Sequence, residues 1–137
     1  MRSGLKVILC IGENERDKDA KYFNFLKNQI IESLEGVSKN ALKNICIAYE
    51  PIWAISSNKG SAITPENLHE MIIFIKRVLS DKYGVSTKPP KILYGGSVNP
   101  KNTQGFFTET SIDGLLVGGA SLDIKKFGEI LKIADEI

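Results

Sequence analysis

The sequence predicts an α/β fold of four βα units, parallel strands with outer helices, which is half the complement of a closed (β/α)₈ barrel. Three observations point there. Four short apolar runs alternate with stretches whose apolar residues recur at helical period. The resulting order, βαβαβαβα, calls for parallel strands joined by right-handed crossovers. The four units occupy 137 residues, whereas a closed barrel needs eight units and about 250 residues.

Each element has its own warrant. Residues 5–11 form an almost uninterrupted β-branched run, expected of a strand covered on both faces. Ile45–Tyr49 is the second strand, residues 92–94 the third, entered through Pro89 and Pro90, and residues 115–117 the fourth, after Asp113 and Gly114. Phe23, Leu26, Ile30 and Leu34 share one helix face, as do Leu68, Met71, Ile72, Ile75, Val78 and Leu79. Thr64 is placed to cap the second helix, with Pro65 at its first position, and Asn99 with Pro100 starts a shorter one by the same logic. Phe127, Ile130, Leu131, Ala134 and Ile137 line a final stripe. No linker or low-complexity segment divides the chain, so residues 1–137 read as a single half-barrel domain.

Composition narrows the function classes. Eighteen Lys+Arg against sixteen Asp+Glu leave a net charge of +2, with 25% charged and 42% hydrophobic residues. That balance has neither the basic excess of a nucleic-acid binder nor the acidic signature of disorder. The longest apolar runs, residues 7–11 and 71–75, are far short of the roughly 18 residues a membrane span needs. Residues 1–6 carry no apolar segment followed by a cleavage site, so no secretory signal is expected. Cys10 and Cys46 lie inside apolar runs and read as buried thiols of a reducing cytoplasm rather than as a disulfide. No Cys/His cluster has metal-ligand spacing, and the one histidine, His69, reads as a solvated helix residue.

Four segments carry potential chemistry. Glu50 ends the second strand and is held extended by Pro51. Strand C-termini face the ligand in parallel α/β proteins, so a partly desolvated Glu50 suits a general base, although position alone fits a surface glutamate equally well. Tyr94-Gly95-Gly96-Ser97 allows close backbone approach to a ligand, or merely a tight turn before the Asn99 cap. Gly118 and Gly119 end the last strand and can present amides to an anion at a helix start. Two glycine-rich loops after consecutive strands match the phosphate site that (β/α)₈ barrels build after strands seven and eight. Cys10-Ile11-Gly12-Glu13 closes the first strand in the same manner.

Taken together, Cys10-Ile-Gly-Glu, Ala48-Tyr-Glu-Pro-Ile-Trp-Ala-Ile, Tyr94-Gly-Gly-Ser-Val and Gly114-Leu-Leu-Val-Gly-Gly-Ala-Ser resemble the triosephosphate isomerase family. The blocks occur in that family's order and correspond to strands five to eight of its TIM barrel. The resemblance implies that Glu50 is the base moving a proton between two carbons of a triose phosphate, through an enediolate. It implies that amides at Ser56, Ser97, Gly118 and Gly119 grip the substrate phosphate, or free phosphate or sulfate. It further implies that Pro51, Ile52 and Trp53 form the hinge of a lid, that Tyr94 latches it, that Glu13 meets the Trp53 indole, and that Cys10 packs beside the site. No cofactor, metal, nucleic acid or membrane is implied; the setting would be cytoplasmic glycolysis and gluconeogenesis.

Two departures accompany the resemblance. The family's catalytic lysine and histidine belong to strands one and four, which these residues do not supply, and His69 does not match that histidine. Losing even one such donor costs about 10²–10³ in rate, so the chain alone is expected to be inactive. The family's glycine-rich lid tip is replaced by Ser56-Ser57-Asn58-Lys59-Gly60, about two residues longer. A half barrel would also expose apolar interior side chains and two unpaired strand edges. A second half-barrel, either another copy or an N-terminal half, is therefore the expected partner, unless the units flatten into an open sheet with helices on both faces. A non-catalytic, phosphate-binding or scaffold homo-oligomer is the alternative function.

Overall fold

The computed structural model describes residues 4–55, 62–84, 86 and 88–137. Strands β1 (Val7–Ile11), β2 (Ile45–Tyr49), β3 (Lys91–Tyr94) and β4 (Gly114–Leu115) form one sheet in the order β1-β2-β3-β4, every pair parallel. Helices α1 (Lys21–Ser33), α2 (Pro65–Tyr83), α3 (Pro100–Glu109) and α4 (Ile124–Asp135) follow the strands in turn. The strand order never reverses, so crossovers of the usual right hand all return on the same side of the sheet. Accordingly α1 packs on α2, α2 on α3 and α3 on α4. That is a run of barrel staves, and it removes the flat sheet with helices on both faces.

The helix starts follow from local chemistry. Thr64 Oγ1 accepts from Asn67 N at 3.3 Å ahead of Pro65, and Gly84, at φ +94°, ends α2. Asn99 and Asn102 cap each other reciprocally: Asn99 Oδ1 accepts from Asn102 N at 3.3 Å, and Asn102 Oδ1 from Asn99 N at 2.8 Å. For α1 the flanking residue is Ala20, in the left-handed region at φ 56°. Asp17 supplies the missing acceptors there, taking Lys21 N at 2.9 Å and Tyr22 N at 3.0 Å.

Strand alternation divides the sheet into two faces. Ile45, Ile47 and Tyr49 of β2 and Ile92 and Tyr94 of β3 point into a core with Leu26, Ile30, Leu68, Met71, Ile75 and Phe106. Each such side chain, fully buried, contributes about 1.5–3 kcal/mol of transfer free energy. Ile8, Cys10, Cys46, Ala48 and Leu93 are on the other face, which no helix among the described residues covers.

Five expectations need correction. The first strand is not covered on both faces: it begins at Val7, Leu5 is 66% exposed and Ile8 52%, because β1 is an edge strand and among the described residues nothing packs across its inner side. For the same reason Cys10 is exposed and Cys46 only half-buried, both as free thiols. The fourth strand pairs over only two residues, Gly114 and Leu115, although Leu116 N still donates to Tyr94 O at 2.8 Å. Along α4 only Ile130 is buried; Leu131 is exposed, and Ile137 lies beyond the helix. Finally, His69 is half-buried rather than solvated, with its Nδ1 enclosed and without a hydrogen bond among the described residues.

Candidate active site

Glu50 follows β2 directly, and alternation sends its side chain to the face that the helices leave open. Cys10, paired in register with Ala48, emerges on that face beside it, and its Sγ approaches Glu50 Oε1 at 3.5 Å. Partial burial first, then the Glu50 charge and hydrogen bond, push the Cys10 thiol up, so it stands as a neutral donor and not as a nucleophile.

Glycines make room for this carboxylate. A Cβ at Gly95 would lie 2.6 Å from Glu50 Cγ and 2.7 Å from Oε1, so a larger residue would displace the acid. A Cβ at Gly12 would collide with the Glu50 carbonyl oxygen. The ladder continues past the strand ends, with Glu50 N donating to Ile11 O at 2.7 Å and Gly95 N to Tyr49 O at 2.9 Å. Glu50 is thereby fixed at the C-terminal end of the sheet by the two loops flanking it.

The segment after Glu50 is held by its neighbours. Pro51 is buried, and Ile52–Ala54 makes one 3₁₀ turn. Ile52 N donates to Glu13 O at 2.9 Å, and Trp53 Nε1 donates to Glu13 Oε1 at 3.0 Å. Glu13, only 1% exposed, also accepts from Tyr49 Oη at 2.8 and 3.0 Å and from Arg16 Nε at 3.3 Å. Burial pushes the Tyr49 phenol far up, and the neighbouring Glu13 charge adds to it, so Tyr49 is a permanent donor.

Tyr94 is fully buried against Phe106, ring centroids 4.7 Å apart, and curls back under Gly96, where a Cβ would strike its hydroxyl. Burial pushes its phenol up to about 12, opposed by the amides of Ile63 and Ser97. The hydroxyl otherwise finds no well-formed hydrogen bond among the described residues.

The phosphate-binding expectation divides by residue. Ser97 N donates to Ala54 O at 2.9 Å, so in this conformation that amide is committed to the turn after Glu50 rather than to an anion. Gly118 and Gly119 are exposed at the open end of β4, ahead of the 3₁₀ turn Gly119–Leu122, and a Cβ at either would meet nothing within 4 Å. Ser56 lies outside the described residues. Sequence reasoning missed Arg16 and, as a side chain with a task, Tyr49; the signals available were the three-residue spacing of Glu13 and Arg16 and the position of Tyr49 beside Glu50. Among the described residues no group of His, Cys, Asp and Glu is placed to hold a metal, and no helix is long and apolar enough to cross a membrane.

Comparison with known proteins gives the arrangement a context. The family model described as triosephosphate isomerase matches residues 1–134. Triosephosphate isomerase of Alkaliphilus oremlandii (strain OhILAs) is 40% identical over 129 residues, covering 93% of this chain and 51% of that protein. That of Geotalea uraniireducens (strain Rf4) is 39% identical over 137 residues, covering 98% of this chain and 54% of the other. In the crystal structure of triosephosphate isomerase from Bartonella henselae, 53% of the chain superposes on 98% of this one, with a TM-score of 0.79 and 33% identity. The chain spans about half the length of the curated relatives it matches, and its parallel sheet with one-sided helices is half of a TIM barrel. With a match running through nearly all of its residues, the chain belongs to the triosephosphate isomerase family.

Proposed function

We propose that this chain supplies the base and the phosphate-binding loops for interconversion of glyceraldehyde 3-phosphate and dihydroxyacetone phosphate, a step of cytoplasmic glycolysis and gluconeogenesis. The observation that carries the reading is Glu50 at the C-terminal end of β2, its carboxylate seated against Gly95. In this reading Glu50 takes a proton from the substrate carbon beside the carbonyl and returns it to the neighbouring carbon; no cofactor takes part, since proton transfer needs a base, an electrophile and exclusion of water. The electrophile comes from a second half-barrel, because the family's lysine and histidine have no counterpart here.

Amides of Gly118 and Gly119 hold the phosphate, and Ser97 joins them once its bond to Ala54 O is released. Substrate binding is then coupled to the turn Ile52–Ala54, the hinge of the lid, with Tyr94 as its latch. The test adds an N-terminal half of four βα units to the purified chain and assays isomerisation. Activity that appears on mixing and is lost in Glu50→Gln supports the reading. A completed barrel that binds inorganic phosphate but never turns over would favour a phosphate-binding scaffold instead.

A further inference from the structure

Arg16 occupies a place that the proposed chemistry does not use. Its guanidinium carbon lies 5.2 Å from the centroid of the Trp53 ring and 5.3 Å from that of Tyr22. Its Nε donates to Glu13 Oε1 at 3.3 Å and its NH2 group to Tyr49 Oη at 3.4 Å. Glu13 is buried, and among the described residues Arg16 is the cation that pairs with it. One planar cation therefore touches the ring of Trp53, the carboxylate that accepts from the Trp53 indole, and the phenol that donates to that carboxylate.

We propose that Arg16 is a positioning residue that clamps Trp53, and through it the turn beside Glu50, by joining the Glu13 carboxylate to the Trp53 and Tyr22 rings. The physical reason is that neither half of the contact suffices alone. A buried carboxylate with no cation is costly, and an indole N–H bond fixes the edge of Trp53 but does not itself oppose rotation about that bond, which the partial packing of Trp53 on the core restrains from one side. A guanidinium over the ring face supplies the second constraint, by cation–π attraction and stacking. A lysine keeps the charge but not the plane. The functional meaning rests on the reading of Ile52–Ala54 as a hinge.

Trp53 is the single tryptophan of the sequence, so its fluorescence reports the clamp directly in this chain without turnover. In Arg16→Met the emission should shift, and its quenching constant with acrylamide should rise about twofold or more. Arg16→Lys should fall between wild type and Arg16→Met. In a Glu13→Gln background the further effect of Arg16→Met should shrink, because the two side chains act as one unit. Wild-type emission and quenching in a folded Arg16→Met would overturn the proposal. Should that variant fail to fold, Arg16→Lys decides it: quenching equal to wild type overturns the clamp, and an intermediate value upholds it. In the completed barrel, a changed Trp53 signal with unaltered kcat would keep the clamp and overturn the hinge, whereas Glu50→Gln should abolish turnover and leave the Trp53 signal as in wild type.

Discussion

The inner strands β2 and β3 and the outer strands β1 and β4 are built from similar apolar residues but live in different surroundings. Ile47 and Ile92 are completely buried, whereas Ile8 is 52% exposed and Val7 39%. Most of the strand residues in the core come from the inner pair, joined by Ile11 of β1, and the loop after β1 helps to seat Glu50; Cys10 near the end of β1, and Gly118 and Gly119 after β4, are exposed. The difference teaches that the seating of Glu50 needs only β1, β2 and β3 side by side, whereas β1 and β4 stand at the two edges of the sheet. Unpaired edges with exposed isoleucine and leucine favour association with further β-structure.

The sharpest contrast is in stability. Ile47→Ala should destabilise the chain by about 2–5 kcal/mol, while Ile8→Ala should change it by less than about 0.5 kcal/mol, as read from denaturant midpoints. Equal losses at the two sites would break the distinction. Once a second half is bound, the cost of Ile8→Ala should rise.

The next contrast concerns glycines. Gly95→Ala forces a methyl into the space of the Glu50 side chain, and a displacement on the order of 1 Å costs about 10²-fold in rate. Measured in the completed barrel, that loss should come chiefly in kcat. Gly95→Ala with full activity would remove Gly95 from the site.

Alkaline titration compares the tyrosines. Tyr94 carries a phenol raised to about 12, and the Tyr49 phenol is pushed further still. In the unfolded chain a tyrosine ionises near 10, so from about pH 10 upward the unfolded state has lost a proton that folded Tyr94 retains. Stability should therefore fall as pH rises from about 10 towards 12, and Tyr94→Phe should flatten that decline. Unchanged alkaline sensitivity in Tyr94→Phe would contradict the burial argument. The smallest effect is at the outer edge: a Cβ at Gly128 meets nothing within 4 Å on α4, so Gly128→Ala should stabilise by about 0.5–1 kcal/mol, seen as a higher melting temperature.

Much of this was legible in the sequence where the signal is short-range. Thr64 with Pro65, and Asn99 with Pro100, announce helix starts because the cap and its amides are neighbours in the chain. Glu50 next to Pro51 at a strand end is equally local. What covers an apolar run is not local, which is why the run through Val7 and Ile8 promised a strand buried on both faces and proved to be an edge. Asp17 stood too far ahead of the apolar stripe to be read as the cap of α1, and Arg16 acquires its meaning only when folding brings Trp53 and Tyr22 to either side of it. The commitment of the Ser97 amide to Ala54 joins residues 43 positions apart, beyond the reach of any pattern within one loop.

Isomerisation of glyceraldehyde 3-phosphate, measured on the purified chain before and after addition of an N-terminal half-barrel, tests the central claim most directly. The account predicts no turnover before mixing, turnover after it, and loss of that turnover in Glu50→Gln. Turnover by the chain in the proven absence of a second polypeptide, or turnover in the mixture that survives Glu50→Gln, would contradict it.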